Sequence, residues 1–452
     1  MNKFEMMLNE IVAFVWGLPL VILLVGGGVF FILNSRFVAY RHLTLAFKIA
    51  FGKQDKTPHS KNDLGHFQAL MLALSGTLGL GNISGVAVAI TLGGAGAIFW
   101  MWVTALVGIT TKFYTATLAV KYRGLDRSGV MQGGPMYVIR EGLGKRWLPL
   151  AWIFCIACMM GALPIYQINQ LVQVLREFVA IPVGVATFQE HFYFDLSIGV
   201  VLCILITWIV LGKLTRLAAI TSRIVPFMVI LYFAMTFILL VVNIEEIPQV
   251  ISSIFISAFS SDSIIGGTVG TIILIGVQRG AFSNEAGIGT ESMAHGASNT
   301  NEPVREGLVA SIGPVIDTLV VCTFTAIAIL ATGVLDSGLT GVSLTAQAFE
   351  VSFPGVGGLL VVLIVFFLST STVLAFSYYG KKCAEFIGGP KLEKAYGCFY
   401  LLLIIFGAVS SLSVVINIID IMYAIMAFPT MISTLLLANK VKQEANCYFK
   451  YK

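Results

Sequence analysis

Three observations predict an all-α polytopic membrane protein. Hydrophobic residues make up 57% of the 452-residue chain and charged residues only 11%, and mean hydropathy is +0.91; a soluble chain does not reach such values. Apolar runs of about 20 residues, the length that crosses a bilayer, recur from end to end. Short loops between them carry nearly all the Lys and Arg.

Eleven spans are predicted: Asn9–Leu33, His66–Thr91, Ala97–Lys121, Trp147–Phe178, Asp195–Leu211, Leu217–Asn243, Ser263–His295, Arg305–Thr332, Gly355–Phe386, Tyr396–Ile416 and Ile418–Asn439. The first run is long and lacks a small-residue cleavage site, so it reads as a retained span rather than a signal peptide. Arg36, Arg41, Lys48, Lys53, Lys56 and Lys61 follow it, whereas Lys3 alone precedes it. By the positive-inside rule the N-terminus then lies outside. The same orientation makes cytoplasmic the loops that carry Arg123, Arg127, Arg140, Lys145 and Arg146, then Lys213, Arg216 and Arg223, then Lys381, Lys382, Lys391 and Lys394. The C-terminus, with Lys440, Lys442, Lys450 and Lys452, is cytoplasmic as well. A multi-pass cell-membrane protein follows.

Several function classes are excluded. The stretch GLGNISG, residues 79–85, has the spacing G-x-G-x-x-x-G and follows no strand, so it is no dinucleotide fingerprint, and no Lys follows it to make a P-loop. No H-E-x-x-H or G-x-S-x-G motif points to an enzyme, and the +5 net charge reflects topology rather than nucleic-acid binding. Six of the seven cysteines (Cys155, Cys158, Cys203, Cys322, Cys383 and Cys398) lie in or beside apolar spans and offer no disulfide framework. Cys155 and Cys158 read as small apolar filler.

Two spans contain polar breaks. SGTLGLGNISG, residues 75–85, interrupts the second span with four glycines, Ser75, Thr77 and Asn82. Each interior Gly costs about 0.8 to 1 kcal/mol relative to Ala. Gly81 and Gly85 have the spacing of close helix packing, but packing leaves Asn82 and the Gly79-Leu80-Gly81 run unexplained. A discontinuous helix accounts for both: its freed carbonyls suit a cation, and the N–H groups of its second half suit an anion. GVQRGAFSNEAGIG, residues 276–289, repeats the pattern in the seventh span. Spans two to six and seven to eleven thus form two five-helix units of opposite orientation, each opening on a broken helix. That is a five-plus-five inverted repeat. It divides the chain into an extra N-terminal helix with its connector (1–64), a first repeat (65–243), an extracellular connector (244–262), a second repeat (263–443) and a tail (444–452).

The stretches SGTLGLGNISGVAVAITLGGAGAIFWMW, TKFYTATLAVKYR, QGGPMY, QRGAFSNEAGIG with AHGAS, VREGL, IDTLVVCT and SYYGKKCAEF resemble the alanine or glycine:cation symporter family in order, from about residue 66 to 430. The resemblance implies a leucine-transporter-like fold with one additional N-terminal helix. It also implies uptake of a small neutral amino acid, alanine or glycine, with co-transported Na+, the alternative being proton coupling or a broader specificity that takes in serine or glutamine; no obligatory protein partner and no nucleic acid are expected.

Candidate roles combine residue chemistry with that resemblance. The amides around Gly79, Leu80, Gly81 and Asn82 would receive the substrate carboxylate. Gln167 and Asn169 are costly amides on an apolar span, suited to the ammonium or to hydrogen bonds between helices. Gly276, at the head of the second break, is grouped with the substrate site, as are Thr372 and Phe376. Carbonyls and hydroxyls at Ser75, Leu78, Ser371 and Thr372 would ligate Na+; alternatively, these hydroxyls bond back to their own helices. Asp317 and Asp420 are intramembrane acids with either a functional or a structural role. Arg279 and Glu285 are read as partners or as parts of the cytoplasmic gate, and His295 as a poor proton relay. The family pattern is broken at two places: Pro164 replaces the usual Asn, and Ala375-Phe376 replaces Gly-Trp. Both bear on which amino acid is preferred.

Overall fold

The apolar runs fold as helices because a bilayer offers no water to pair with backbone N–H and C=O groups. The computed structural model describes residues 3–52, 64–210, 212, 214–259 and 268–450. Lys53, Lys56, Lys61, Lys213, Lys452 and the predicted start of the seventh span at Ser263 lie outside the described residues.

Helices α1 (Glu5–Val15) and α2 (Leu18–Asn34) form one span bent by 45°. A short helix, α3 (Leu43–Phe51), leads to the first broken span, α4 (His66–Thr77) and α5 (Ser84–Gly93). The two halves of that span are bent by 56°. Next come α6 (Gly96–Lys121), a two-stranded hairpin of β1 (Gly124–Leu125) and β2 (Met131–Gln132), α7 (Leu148–Gly161) and α8 (Ile165–Leu175). Pro164 stands at the junction of α7 and α8, where its missing N–H ends one helix and starts the next. Helices α9 (Phe192–Val210), α10 (Leu214–Val242) and α11 (Ile247–Phe259) follow.

The second broken helix consists of α12 (Thr268–Asn284) and α13 (Glu291–Gly296). Then follow α14 (Pro303–Ala331), α15 (Val342–Ser352), α16 (Gly357–Gly388), α17 (Pro390–Val409), α18 (Leu412–Leu436) and α19 (Ala438–Lys450). Among the described residues eight helices are long and apolar enough to cross a membrane, and two bent pairs raise this to as many as ten.

Packing places the two broken helices at the centre. Helices α12 and α14 lie along α6; α4 lies between α10 and α16; α7 packs on α18 and α16. The outer faces of α9 and α10 expose Ile204, Leu205, Trp208, Ile230, Phe233 and Phe237. Such an apolar belt is what lipid covers.

One expectation needs correction. The second break does not begin at Gly276, because α12 runs unbroken through Asn284 and opens only at Glu285–Gly289. Gly276 sits where α12 crosses α6: an added Cβ would lie 2.4 Å from Trp100 Cβ and 2.7 Å from the Ala97 carbonyl. It is a contact glycine, not a pocket residue. Gly276→Ala is therefore expected to destabilise the protein by about 1 to 3 kcal/mol through overpacking. A thermal-unfolding series in detergent should show the loss, while the half-saturating amino acid concentration of the surviving protein stays at the wild-type value.

Candidate functional site

The site is built on the first break. At Leu78 the backbone leaves the helix (φ −74°, ψ 78°) after a last bond from its N–H to the Leu74 carbonyl. A single 3-10 turn over Leu80–Asn82 separates the two halves. The freed groups are taken up by side chains. Gly79 N–H donates to Asn82 Oδ1 (3.1 Å) and Leu80 N–H to Gln167 Oε1 (3.2 Å). Thr325 Oγ1 donates to the Asn82 carbonyl (2.8 Å) and Thr345 Oγ1 to that of Ile83 (3.3 Å).

Gly79 has no room for a side chain. A Cβ there would lie 2.5 Å from Thr372 Oγ1 and 3.3 Å from Gln167 Nε2. The structure thus brings together Gly79, Leu80, Gln167 and Thr372. Phe376 lies one helical turn beyond Thr372 on α16, buried, with its ring 6.3 Å from that of Tyr379.

Asn169 is not part of this group. Two residues on from Gln167 along a helix, it points to another side, and its Nδ2 donates to the carbonyls of Ser410 (2.6 Å) and Gly407 (3.3 Å) at the end of α17. Of the two readings open for it, the inter-helix bond is the one found. The hydroxyls of Ser75, Ser371 and Thr372 donate to carbonyls one turn back, at 2.8, 2.9 and 3.0 Å. These bonds occupy the hydroxyl protons and leave oxygen lone pairs to act as ligands. Ser371 faces α10, with Oγ 3.6 Å from Met228 Sδ, while Thr372 faces the break.

A second cluster lies on the other side of Asn82. Asn82 Nδ2 is within 2.9 Å of Asp317 Oδ1 and 3.1 Å of Ser283 Oγ. Ser283 Oγ (2.5 Å) and Thr318 Oγ1 (2.9 Å) donate to the same carboxylate oxygen, and Asn284 Nδ2 donates to Thr318 Oγ1 (3.2 Å). The other oxygen, Asp317 Oδ2, is buried and accepts no hydrogen bond. A half-satisfied buried carboxylate is costly, and its other oxygen, Oδ1, sits among the Ser283 and Thr318 hydroxyls. Ser283 and Thr318 were not singled out from sequence; their only signal was adjacency to Asn284 and Asp317.

Phe282 joins the two broken helices. A Cβ on Gly81 would meet its ring at 3.2 Å. The ring stands edge-on to Tyr166 (5.4 Å) and tilted to Tyr423 (5.4 Å), with the Arg279 guanidinium 5.4 Å above it. Arg279 pairs with Asp420, which also accepts from Gln278 Nε2 (2.9 Å). Arg279 and Glu285 are therefore not each other's partners. Glu285 accepts from Tyr423 Oη (2.9 Å) and Thr290 Oγ1, and itself adopts a left-handed backbone (φ 54°) beside Gly287 and Gly289 (φ 86° and 98°), where the second helix breaks.

A cavity of about 420 Å³ begins at Ser377 and Tyr378, just past Phe376, and is lined further out by Asp126, Lys381, Lys382 and Glu385. Its lining belongs to the segments that carry the basic loops, and Arg279 and Asp420 are not part of it.

Two broken helices packed break to break, with polar side chains converging on one of them, define a secondary transporter. The chain matches the sodium:alanine symporter family over residues 1–452. It is 41% identical over 456 residues to the sodium/alanine symporter AgcS of Methanococcus maripaludis, covering 98% of this chain and 97% of that protein. It is 33% identical to the probable sodium/glutamine symporter GlnT of Bacillus subtilis, covering 97% and 89%. Among solved structures it resembles MhsT in complex with L-phenylalanine, with a TM-score of 0.60 at 13% identity over 84% of this chain and 90% of that one. The chain belongs to the sodium:alanine symporter family. It is an integral membrane protein that carries amino acids with a cation, not an enzyme, and its fold is that of the leucine transporter.

Gly81→Val is expected to abolish amino acid uptake while the protein still inserts in the membrane, because the branched side chain would drive Phe282 off the break. Uptake by cells or liposomes, normalised to the amount inserted, checks this; wild-type transport would mean that Gly81 has only a packing role.

Proposed function

We propose that this protein imports a small neutral amino acid, alanine or glycine, with Na+ by alternating access, and that the Gly79–Asn82 break is where both bind. The reading rests on one observation: Gln167, Thr372 and Asn82 meet at a break whose neighbour Asp317 keeps a buried oxygen without a hydrogen-bond donor. The substrate carboxylate takes the amides of Leu80 and Gly81. Gln167 Oε1 turns from Leu80 to the ammonium. Thr372 and Phe376 wall the side chain. The likeness to a relative named as an alanine symporter supports the substrate class.

Two groups of oxygens suit Na+, which takes carbonyl, hydroxyl and carboxylate ligands. One comprises Ser75, Leu78, Ser371 and Thr372; the other is the Asp317 carboxylate with the Ser283 and Thr318 hydroxyls. In the second group the ion supplies the positive charge that a buried carboxylate needs. In this orientation the N-terminus is outside, the basic loops and α19 are cytoplasmic, and the two five-helix repeats cover residues 65–243 and 263–443. The 420 Å³ cavity then lies on the release route, and the pair of Arg279 and Asp420 stands on the entry side.

Removing Na+ at fixed pH should stop uptake of labelled alanine into proteoliposomes. Proton-driven uptake without Na+ would overturn the coupling. Asp317→Asn is expected to raise the half-saturating Na+ concentration at least tenfold, about 1.4 kcal/mol, and Ser371→Ala with Thr372→Ala should act in the same direction. Wild-type Na+ dependence in either variant removes that group from the ion site.

Phe376 concerns selectivity. A phenyl ring in place of the family's indole leaves a larger apolar pocket, and one methylene of fit is worth about 1 to 3 kcal/mol. Phe376→Trp should weaken competition by larger neutral amino acids against labelled alanine. An unchanged competition profile would show that Phe376 does not line the pocket.

A further inference from the structure

Glu306, near the start of α14, is completely buried, and it holds two histidines from different helices. Its Oε1 takes His295 Nδ1 at 2.6 Å, and its Oε2 takes His66 Nδ1. His66 is the first residue of α4 and 5% exposed; His295 is near the end of α13 and 1% exposed. One carboxylate therefore ties together the ends of both broken helices that lie away from the breaks. The chain just outside is joined too: Leu64 and Ser298 form a parallel bridge, with Asn299 N–H on the Leu64 carbonyl at 2.8 Å. Arg123 closes the same corner on the carbonyls of Gly296 (2.7 Å), Thr300 (2.9 Å) and Ser298.

Charge balance sets the chemistry. A carboxylate only accepts, so both imidazole Nδ1 atoms must carry hydrogen. A buried carboxylate also needs a counter-charge. Among the described residues Glu306 has no ion-pair partner except these two histidines. On the elements packed against α14, the other charged groups are engaged or turned outward, except Lys112 of α6, which is buried about two turns further along α14 from Glu306. Lys121 of α6 pairs with Glu444 of α19; Arg305 pairs with Glu302; Glu291 of α13 accepts from Thr115. Lys112 of α6 lies against Gly313, and Lys48 of α3 and Lys440 and Lys450 of α19 are exposed, with Lys442 half-buried. The positive charge must then sit on the two imidazoles, which share one proton beyond their neutral complement.

We propose that His66, Glu306 and His295 form a proton-binding latch on the inner gate: the closed gate holds one proton there, and release of the cargo to the cytoplasm requires giving it up. The proposal rests on the orientation given above. When α4 swings away from α13 and α14, water reaches the carboxylate and no imidazolium is needed. Closed and open gates thus differ by one bound proton. Linkage fixes the sign: the closed gate is favoured at low cytoplasmic pH and loses that advantage as the pH rises. The sequence reading of His295 as a poor relay considered it alone; its partners come from helices far away in the chain.

The test uses the full-length protein in liposomes under symmetrical Na+, with labelled alanine exchange measured at different pH on the cytoplasmic side. From about pH 6.5, the ordinary imidazole value, up to about pH 8.5, exchange in the wild type should slow on acidification, by at most tenfold per pH unit, the limit for one linked proton. The double variant His66→Gln and His295→Gln should show a flat profile. A flat wild-type profile, or a double variant with the wild-type slope, overturns the latch. If the double variant does not fold, hydrogen exchange of the wild-type α4 amides near His66 decides: protection there must fall as pH rises, and protection independent of pH overturns the proposal. That readout needs no cargo. Failure of alanine to bind or exchange at any pH would instead refute the substrate assignment.

Discussion

Every backbone amide and carbonyl within a bilayer must find a partner, and this structure depends on how that requirement is met where α4 stops. The break between Leu78 and Ile83 releases polar groups at the centre of the bundle. Side chains from α8, α14 and α15 then take them up: Gln167 on the Leu80 amide, Thr325 on the Asn82 carbonyl and Thr345 on that of Ile83. The break is thereby made a fixed feature rather than a local melting. The price is a set of polar residues on helices that would otherwise be apolar, and those same residues are the ones a zwitterion and a cation can use.

The second break obeys the same constraint by different means. Glu285 sits in a left-handed conformation and is held by Tyr423 and Thr290, while Gly287 and Gly289 supply the remaining positive φ angles. Phe282 and Ser283, just before this break, touch Gly81 and Asn82 in the first. A shift of one broken helix must therefore be felt by the other. Ends of the same helices meet again at Glu306, so the two broken helices are joined both at their breaks and at their far ends.

Much of this was legible in the chain. The clustering of Gly79, Gly81 and Asn82 in an apolar run gave the first break correctly, because glycine and amide residues are too costly there without a use. Gln167 was singled out by the same reasoning, and it lies beside the break with Oε1 on the Leu80 N–H. Asn169 carried the identical signal but has another role, since helical geometry turns it toward the end of α17. Gly276 was misplaced because a contact glycine and a helix-breaking glycine look alike until the neighbouring helix is seen; here that neighbour is Trp100.

Composition and periodicity by themselves determined a membrane-embedded, all-helical chain with two interrupted spans, since these follow from the free energy of placing each residue in lipid, which is local to the residue. Partnership was decided only by the tertiary structure. Arg279 with Asp420, Asp317 with Ser283 and Thr318, and Glu306 with His66 and His295 join residues up to 240 positions apart. A buried charge announces that it needs a partner, but which one it meets depends on how the helices cross.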